Sequence, residues 1–339
     1  MEPHYDGAMA EQLVTLYDVA AAAGVSLSTA SKALNGTDRI SVATREHVRD
    51  TALRLGFRQN ALARSFARGR SQTIGVLTHR ASNPFSRVVL ASTATELGAR
   101  EQAMLLYDAR FGEADMDESI LQLRARRIDG VIVVGTGTSH PTPSITDRFE
   151  VPVVYAFTFT EEPADVIVTA DDVSIGRTAA ARLLATGRRR IAHITAEADD
   201  EAVQRRMTGA SAVLAAEGLE WAAEVRHGRW HEGWGEQAAR ELLDEVPDLD
   251  AIFCGSDAIA RGAERGLRAA GRRVPEDVAL IGVDNWEQLM YDQSSQRHLT
   301  TVEVGLDQIG RLAARQLLDP EREPGIQFVE PQLVIAQTA

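Results

Sequence analysis

Leu27, Ser28, Ser31 and Lys32 fall on one side of a short stretch that reads as a helix, while Ala30, Ala33 and Leu34 fall on the other. Two hydroxyls and an ammonium on an exposed helix face are the groups that read base edges and phosphates in a DNA major groove. The same spacing also fits an ordinary three-helix cap. Residue types that do covalent chemistry do not assemble elsewhere. Gly135, Thr136 and Gly137 start a dinucleotide-type pattern, but His140 stands where the third glycine belongs. Pro141 and Pro143 then block the helix whose N-terminus would hold a pyrophosphate. There is no phosphate-cradling glycine–lysine loop and no Gly-x-Ser-x-Gly nucleophile turn. His227 and His231 are four apart, but Gly228 and Gly233 argue against a helix that would aim both at one metal. Cys254, the single cysteine, ends an apolar run and reads as a small buried hydrophobe, which excludes an internal disulfide framework and a multi-cysteine zinc site. The chemistry that remains is recognition, not catalysis: no enzyme, no cofactor and no metal are expected.

The exposed face needs a scaffold, and the flanking residues supply one. Thr15 is a good N-cap for a helix carrying Leu16, Val19, Ala20 and Ala23, and Gly24 ends it through a left-handed turn. Ser26 caps the second helix, Asn35 and Gly36 form a turn, and Ser41 caps a third helix with Val48, Ala52 and Leu55 on one face. Helix, glycine turn, short polar helix and supporting helix are the plan of a helix-turn-helix unit. Charge agrees. The 339 residues carry a net charge of −13, yet residues 26–70 hold nine Lys and Arg against three acids. A basic head on an acidic body points to a polyanion met by the head alone.

From Thr73 the pattern alternates short apolar runs with helical stretches. Runs at 74–77, 103–106, 130–134 and 152–155 predict buried parallel strands, with helices over 86–100 and 115–126. A second series predicts strands at 190–194, 251–254 and 278–283 and helices over 175–186, 202–217, 235–245 and 259–270. The fold class is therefore an all-α head plus an α/β core of two doubly wound parallel-sheet subdomains, with ligands expected in the cleft beyond the strands' carboxyl ends. No apolar run approaches the roughly 20 residues of a membrane span. The first residues lack the basic and apolar regions of a secretory signal, so a cytoplasmic location is expected.

Residues 14–77 closely resemble the head of the lactose-repressor (LacI/GalR) family of transcription regulators. The resemblance rests on TLYDVA at 15–20, AGVS at 23–26, STASKALN at 28–35, S..TRE at 41–46 and LGF..NALAR at 55–64. It implies that Leu27, Ser28 and Lys32 read base edges, and that Thr15, Tyr17, Ser31, Asn35, Arg39 and Thr44 hold phosphates. Lys32 stands where relatives often carry arginine, which loses the bidentate fork that favours guanine. Residues 60–67 resemble the family's hinge helix, implying minor-groove roles for Asn60 and Ala63 and a wedge role for Phe66, where most relatives have leucine. A staple packing the linker on the core is the other reading of Phe66.

The body resembles the same family's effector core, which is itself similar to periplasmic sugar-binding proteins. The matching segments are Asn83-Pro84-Phe85, Asp171-Asp172 with Gly176 in place of the usual DN...G, TGRRRIA at 186–192, Arg206 with Gly209, SDAIA at 256–260, GVDN at 282–285 and LTTV at 299–302. By this resemblance Arg206 and Asp284 grip ligand hydroxyls, Trp230 stacks on a sugar face, and Phe85 and Phe157 line the opposite wall. An Arg206–Asp284 structural ion pair and a core-packing Trp230 are the alternatives. Relatives often carry an acid or other polar residue just after VPVV, where this chain runs Tyr155-Ala156-Phe157, so with Phe157 and Phe159 close by the pocket is more aromatic and has one polar anchor fewer. The resemblance implies a homodimeric, sequence-specific DNA-binding regulator, most simply a repressor, that binds a pseudopalindromic double-stranded operator and answers to a sugar or sugar-like effector, with no membrane partner. The alternative is a ligand-binding module of the periplasmic type. The expected divisions are a disordered extension at 1–13, the head at 14–59, hinge and linker at 60–72, and the core at 73–339. Subdomain one takes about 73–168 and 300–328, and subdomain two about 169–299 and 329–339.

Overall fold

The computed structural model describes residues 14–36, 40–57, 70–109, 114–286 and 297–339. The expected N-terminal extension, Arg39, Asn60, Ala63 and Phe66 lie outside the described residues. The chain forms two compact units, residues 1–71 and 72–339.

In the head, α1 (Leu16–Ala22), α2 (Leu27–Asn35) and α3 (Val42–Arg54) enclose a small core of Val19, Ala20, Ala23, Ala30, Ala33, Val48 and Ala52. Thr15 and Asp18 form a reciprocal capping box at the first helix. The hydroxyls of Ser26 and Ser41 accept from the backbone N–H of Thr29 and Thr44 at 3.1 and 3.2 Å. Leu55, expected on the inner face, is 37% exposed; Thr51 is buried in its stead.

The core holds two six-stranded sheets. Strands β1 (Thr73–Thr78), β2 (Ala103–Asp108), β3 (Gly130–Val134), β4 (Val153–Ala156), β5 (Val166–Ala170) and β11 (Gly325–Val329) form the first, all parallel, in the order β11-β5-β4-β3-β1-β2. Helices α4 (Pro84–Ala99), α5 (Ala114–Ala125) and, later in the chain, α10 (Leu306–Leu318) belong with it. The second sheet contains β6 (Ile191–Thr195), β7 (Arg226–His227), β8 (Ala251–Cys254), β9 (Ala279–Val283), β10 (Thr301–Glu303) and β12 (Gln332–Val334), in the order β12-β10-β9-β8-β6-β7. Only β12 runs antiparallel to its neighbour. Its helices are α6 (Asp172–Ala185), α7 (Glu201–Ala216), α8 (Glu232–Glu245) and α9 (Asp257–Ala269).

Three features differ from the expected boundaries. The strand at Val166–Ala170 lies wholly in the first sheet, so the chain crosses at Asp171 and not after residue 168. Thr301–Glu303 pairs with β9 and β12, so these residues belong to the second sheet and not to the first subdomain. The chain returns at Val304 and Gly305, adds α10 and β11 to the first subdomain through Val329, and crosses a last time at Glu330 and Pro331.

Helices α6 and α7 pack backbone to backbone. A Cβ on Gly176 would sit 1.8 Å from the carbonyl oxygen of Arg206, and one on Gly209 would sit 1.9 Å from that of Val173. The two backbones therefore touch through reciprocal glycines. That contact brings Asp172, at the start of α6, beside Arg206 in the first half of α7.

Candidate functional site

On the head, α2 turns Leu27, Ser28 and Lys32 to solvent and leaves Ser31 half-buried. Tyr17 is 72% exposed and Leu27 46%. Large apolar side chains held open beside polar ones form a surface suited to a partner. Three of the expected phosphate contacts also have local work. Thr15 donates its hydroxyl to Asp18 Oδ2 at 2.7 Å, Thr44 shares a 2.8 Å hydrogen bond with the Ser41 hydroxyl, and Asn35 donates to Ser31 Oγ at 3.3 Å.

In the core, the expected effector residues lie in segments that follow the carboxyl ends of strands or on the helices after them. Phe85 opens α4, Phe157 follows β4, Trp230 precedes α8, Asp284 follows β9, and Arg206 projects from α7. The structure brings them together in two groups. Phe85 and Phe157 meet with ring centroids 6.2 Å apart. Arg206 lies with its Cζ 5.9 Å from the Trp230 ring centroid. Trp230 is 36% exposed and donates Nε1–H to Asp200 Oδ2 at 3.3 Å, which rules out the core-packing alternative.

The ion pair is not the one foreseen. Arg206 Nε donates to Asp172 Oδ1 at 2.7 Å and Nη1 to the Gly255 carbonyl at 2.8 Å. The Asp284 carboxylate accepts no hydrogen bond from any described residue. Burial opposes the charge on Arg206, but the carboxylates of Asp172, Asp284 and Asp200 outweigh it and hold the guanidinium above its ordinary value. Asp172 also accepts the Thr138 hydroxyl on Oδ2 at 2.5 Å. Thr138 follows β3, so this bond joins the two subdomains. Two further contacts cross the same gap: Arg205 lies 5.2 Å above the Phe159 ring, and the Glu201 N–H donates to the Ser139 carbonyl at 3.1 Å.

Asp172, Asp200, Thr138 and Trp286 were missed by sequence reasoning. Asp172 appears there only as part of a motif; an acid at a helix start was the available signal. Trp286 meets Phe85 at 5.5 Å and so carries an aromatic ring from the second subdomain to the first. Its signal was a large aromatic directly after Asp284 and Asn285. The turn that presents both is held from two sides. Trp286 N–H donates to Asp257 Oδ2 at 2.7 Å, and Asn285 reaches Thr301 Oγ1 and Glu303 Oε2. These bonds keep Asp284 at φ 109°, a conformation that L residues adopt only under constraint.

Burial pushes the Asp284 carboxyl up to about 7, with Arg206 opposing and Asp172 adding to the rise. In the unfolded chain the same group titrates near 3.8. Between these values the folded state holds a proton that the unfolded state has released, so stability falls as pH rises from about 4 to about 7. Asp284→Asn has no such proton. Denaturation of both proteins at several pH values is expected to show the wild type losing stability relative to the variant across that window. A constant difference would contradict it.

The residues that sequence reasoning weighed for other chemistry do not converge. Cys254 is fully buried in the second sheet's core, where burial raises its thiol. His227 Nδ1 pairs with the Ala196 carbonyl, and His231 caps α8 by accepting from Gly233 N–H. Among the described residues no cluster of His, Cys, Asp and Glu could hold a metal ion, and no helix is long and apolar enough to cross a membrane.

A helix-turn-helix head and a two-sheet core with a polar and aromatic cleft define the class of ligand-responsive DNA-binding regulators. Residues 15–60 match the family of bacterial regulatory proteins, lacI family, and residues 71–329 match the periplasmic binding proteins and sugar binding domain of LacI family. The chain is 34% identical over 313 residues to the HTH-type transcriptional regulator CelR of Thermobifida fusca, covering 90% of this chain and 91% of that protein. It is 29% identical over 324 residues to the ribose operon repressor of Escherichia coli strain K12, covering 95% and 97%. Among solved structures, a transcriptional regulator CelR–cellobiose complex matches at a TM-score of 0.65 with 32% identity, covering 96% of this chain and all of that one, 100%. The lac repressor dimer bound to operator and the anti-inducer ONPF matches at 0.74 with 24% identity, covering 96% and 99%, a likeness of fold. The chain belongs to the LacI family: it is a DNA-binding transcriptional regulator with a periplasmic-binding-protein-like effector core, and not an enzyme.

Proposed function

We propose that the chain is a cytoplasmic repressor that binds a pseudopalindromic operator as a homodimer and changes its DNA affinity when a saccharide enters the cleft. The observation that carries this reading is the pairing of Arg206 with the half-open Trp230 ring, 5.9 Å away. An aromatic face beside a fixed hydrogen-bond donor suits a molecule with one apolar side and a hydroxylated rim. Asp284, whose carboxylate has no hydrogen-bond partner among the described residues, supplies an acceptor at the end of β9. Phe85, Phe157 and Trp286 supply the opposite wall. Because a similar chain is described in complex with cellobiose, cellobiose and related glucosides are the first ligands to test.

On the head, Leu27, Ser28 and Lys32 are assigned to base edges and Thr15, Tyr17, Ser31, Asn35 and Thr44 to phosphates. The exposed face of α4, with Arg87, Ala91 and Thr95, is assigned to the dimer contact. A ligand that touches both subdomains shifts DNA affinity only by binding two cleft arrangements unequally. Selection from random duplexes is expected to enrich an inverted repeat, with affinity falling steeply in salt. Lys32→Ala is expected to weaken binding and relax one symmetric base position. Failure to enrich any inverted repeat, with or without glucosides, would refute the reading.

A further inference from the structure

We infer that Asp172 sets the chemical class of the effector: by neutralising Arg206 inside the cleft, it restricts the ligand to molecules without phosphate or carboxylate groups. The inference rests on the effector site proposed above. A guanidinium at the end of a cleft is by default an anion receptor, because its planar fork matches phosphate and carboxylate. Here part of the fork is already engaged, and its charge is met by a carboxylate. Nε is bound to the Asp172 carboxylate at 2.7 Å and Nη1 to the Gly255 carbonyl at 2.8 Å. The Asp172 side chain is 1% exposed, so its charge is scarcely screened by water.

The charged groups that act on Arg206 are acids: Asp172, Asp284 and Asp200. The Asp200 carboxylate accepts the Trp230 Nε1–H at 3.3 Å. The Asp284 carboxylate has no hydrogen-bond partner among the described residues. Arg205 is paired with Glu201 at 3.2 Å and lies over Phe159. Arg229, next to Trp230 in sequence, is exposed and lines a surface hollow with His231, Trp234 and Gln237. A phosphorylated or acidic ligand would thus meet one compensated cation and the Asp200 carboxylate, whereas a neutral polyol would find fixed donors and acceptors. Like charges facing each other select against a ligand more strongly than one added attraction selects for it.

Asp172→Asn isolates this charge. The amide oxygen still accepts from Arg206 Nε, and the amide nitrogen donates to Thr138 Oγ1, so both hydrogen bonds survive while the negative charge goes. Full-length wild type, Asp172→Asn and Asp172→Asn/Arg206→Ala are compared by calorimetric titration and thermal shift at constant ionic strength. The probes are inorganic phosphate and the matched pairs glucose with glucose 6-phosphate and cellobiose with cellobiose 6-phosphate. Wild type is expected to ignore inorganic phosphate. Asp172→Asn is expected to gain roughly tenfold or more in phosphate affinity, and the double variant to lose that gain. The double variant separates anion binding in the cleft from anions held by the head. The inference is overturned if wild type binds the phosphorylated member of either pair more tightly than the neutral one, or if a folded Asp172→Asn gains nothing. The wild-type comparison decides the matter even if Asp172→Asn fails to fold. Gain of phosphate binding without any saccharide binding to wild type would uphold the role of Asp172 and reject the saccharide effector. A wild type whose operator binding answers to the phosphorylated sugar alone would do the reverse.

Discussion

Arg206→Ala lowers the stability of the core by about 3–5 kcal/mol, because it leaves the Asp172 carboxylate buried without its cation. The same change removes the donor proposed to hold the effector, a further loss of roughly 1.5–3 kcal/mol in ligand binding for a charged hydrogen bond. That corresponds to about one to two decades in affinity. The two effects separate in a double-mutant cycle. Asp172→Asn/Arg206→Ala is expected to recover most of the stability and none of the ligand response, since the buried charge is gone while the donor stays absent. Chemical denaturation of the four proteins, with operator binding measured at rising glucoside concentration, reads both. If Arg206→Ala is as stable as wild type, the Arg206–Asp172 contact is not a buried ion pair. If it remains fully responsive to ligand, Arg206 does not hold the effector, and Phe157, Phe159 and Trp230 are the residues to change next.

Gly209→Ala is the second large effect. Its new Cβ would meet the Val173 carbonyl at 1.9 Å, and backbone cannot swing aside as a side chain can. The helices must separate, and overpacking of this kind costs about 3 kcal/mol. The expected signature is wider than lost stability. Arg206 lies on α7 and Asp172 on α6, so the same displacement pulls the ion pair apart and weakens the effector response without altering any residue of the cleft. Gly98→Ala serves as the contrast, since nothing lies within 4 Å of a Cβ there; that helical position is expected to gain about 0.5–1 kcal/mol. A Gly209→Ala protein with the wild-type melting temperature would contradict the packing described.

Much of this architecture was readable from local residue choices. Thr15, Ser26 and Ser41 stand at the three head helices' N-caps, and the apolar runs at 130–134 and 251–254 coincide with β3 and β8. What escaped depends on partners distant along the chain. Thr301 belongs to the second sheet because it pairs with Gly282 and Val334, a choice no window around residue 301 records. Leu55 continues the apolar pattern of α3 but follows the helix end, where the face turns outward. In the cleft, the residues were legible by motif but their connections were not. Arg206 and Asp284 were each found, yet the partner of Arg206 is Asp172, because the helix contact at Gly176 and Gly209 brings that acid to it. Trp286 was passed over because its contact with Phe85 depends on how the two subdomains meet.

The interleaving of the two sheets bears on how the protein is made. Strands β1, β3, β4 and β5 leave the ribosome early, but α10, which packs on β3, β4 and β5, comes only after β6 through β10 have been synthesised. Leu317 of that late helix is the side chain that lies over Gly130. The edge of the sheet at β5 likewise waits for β11. Throughout that interval an apolar sheet face and an unpaired edge are open to water and to neighbouring nascent chains, the condition under which α/β proteins aggregate. Slower translation, or a chaperone that shields the half-built first subdomain before residue 306 emerges, is therefore expected to raise the soluble yield.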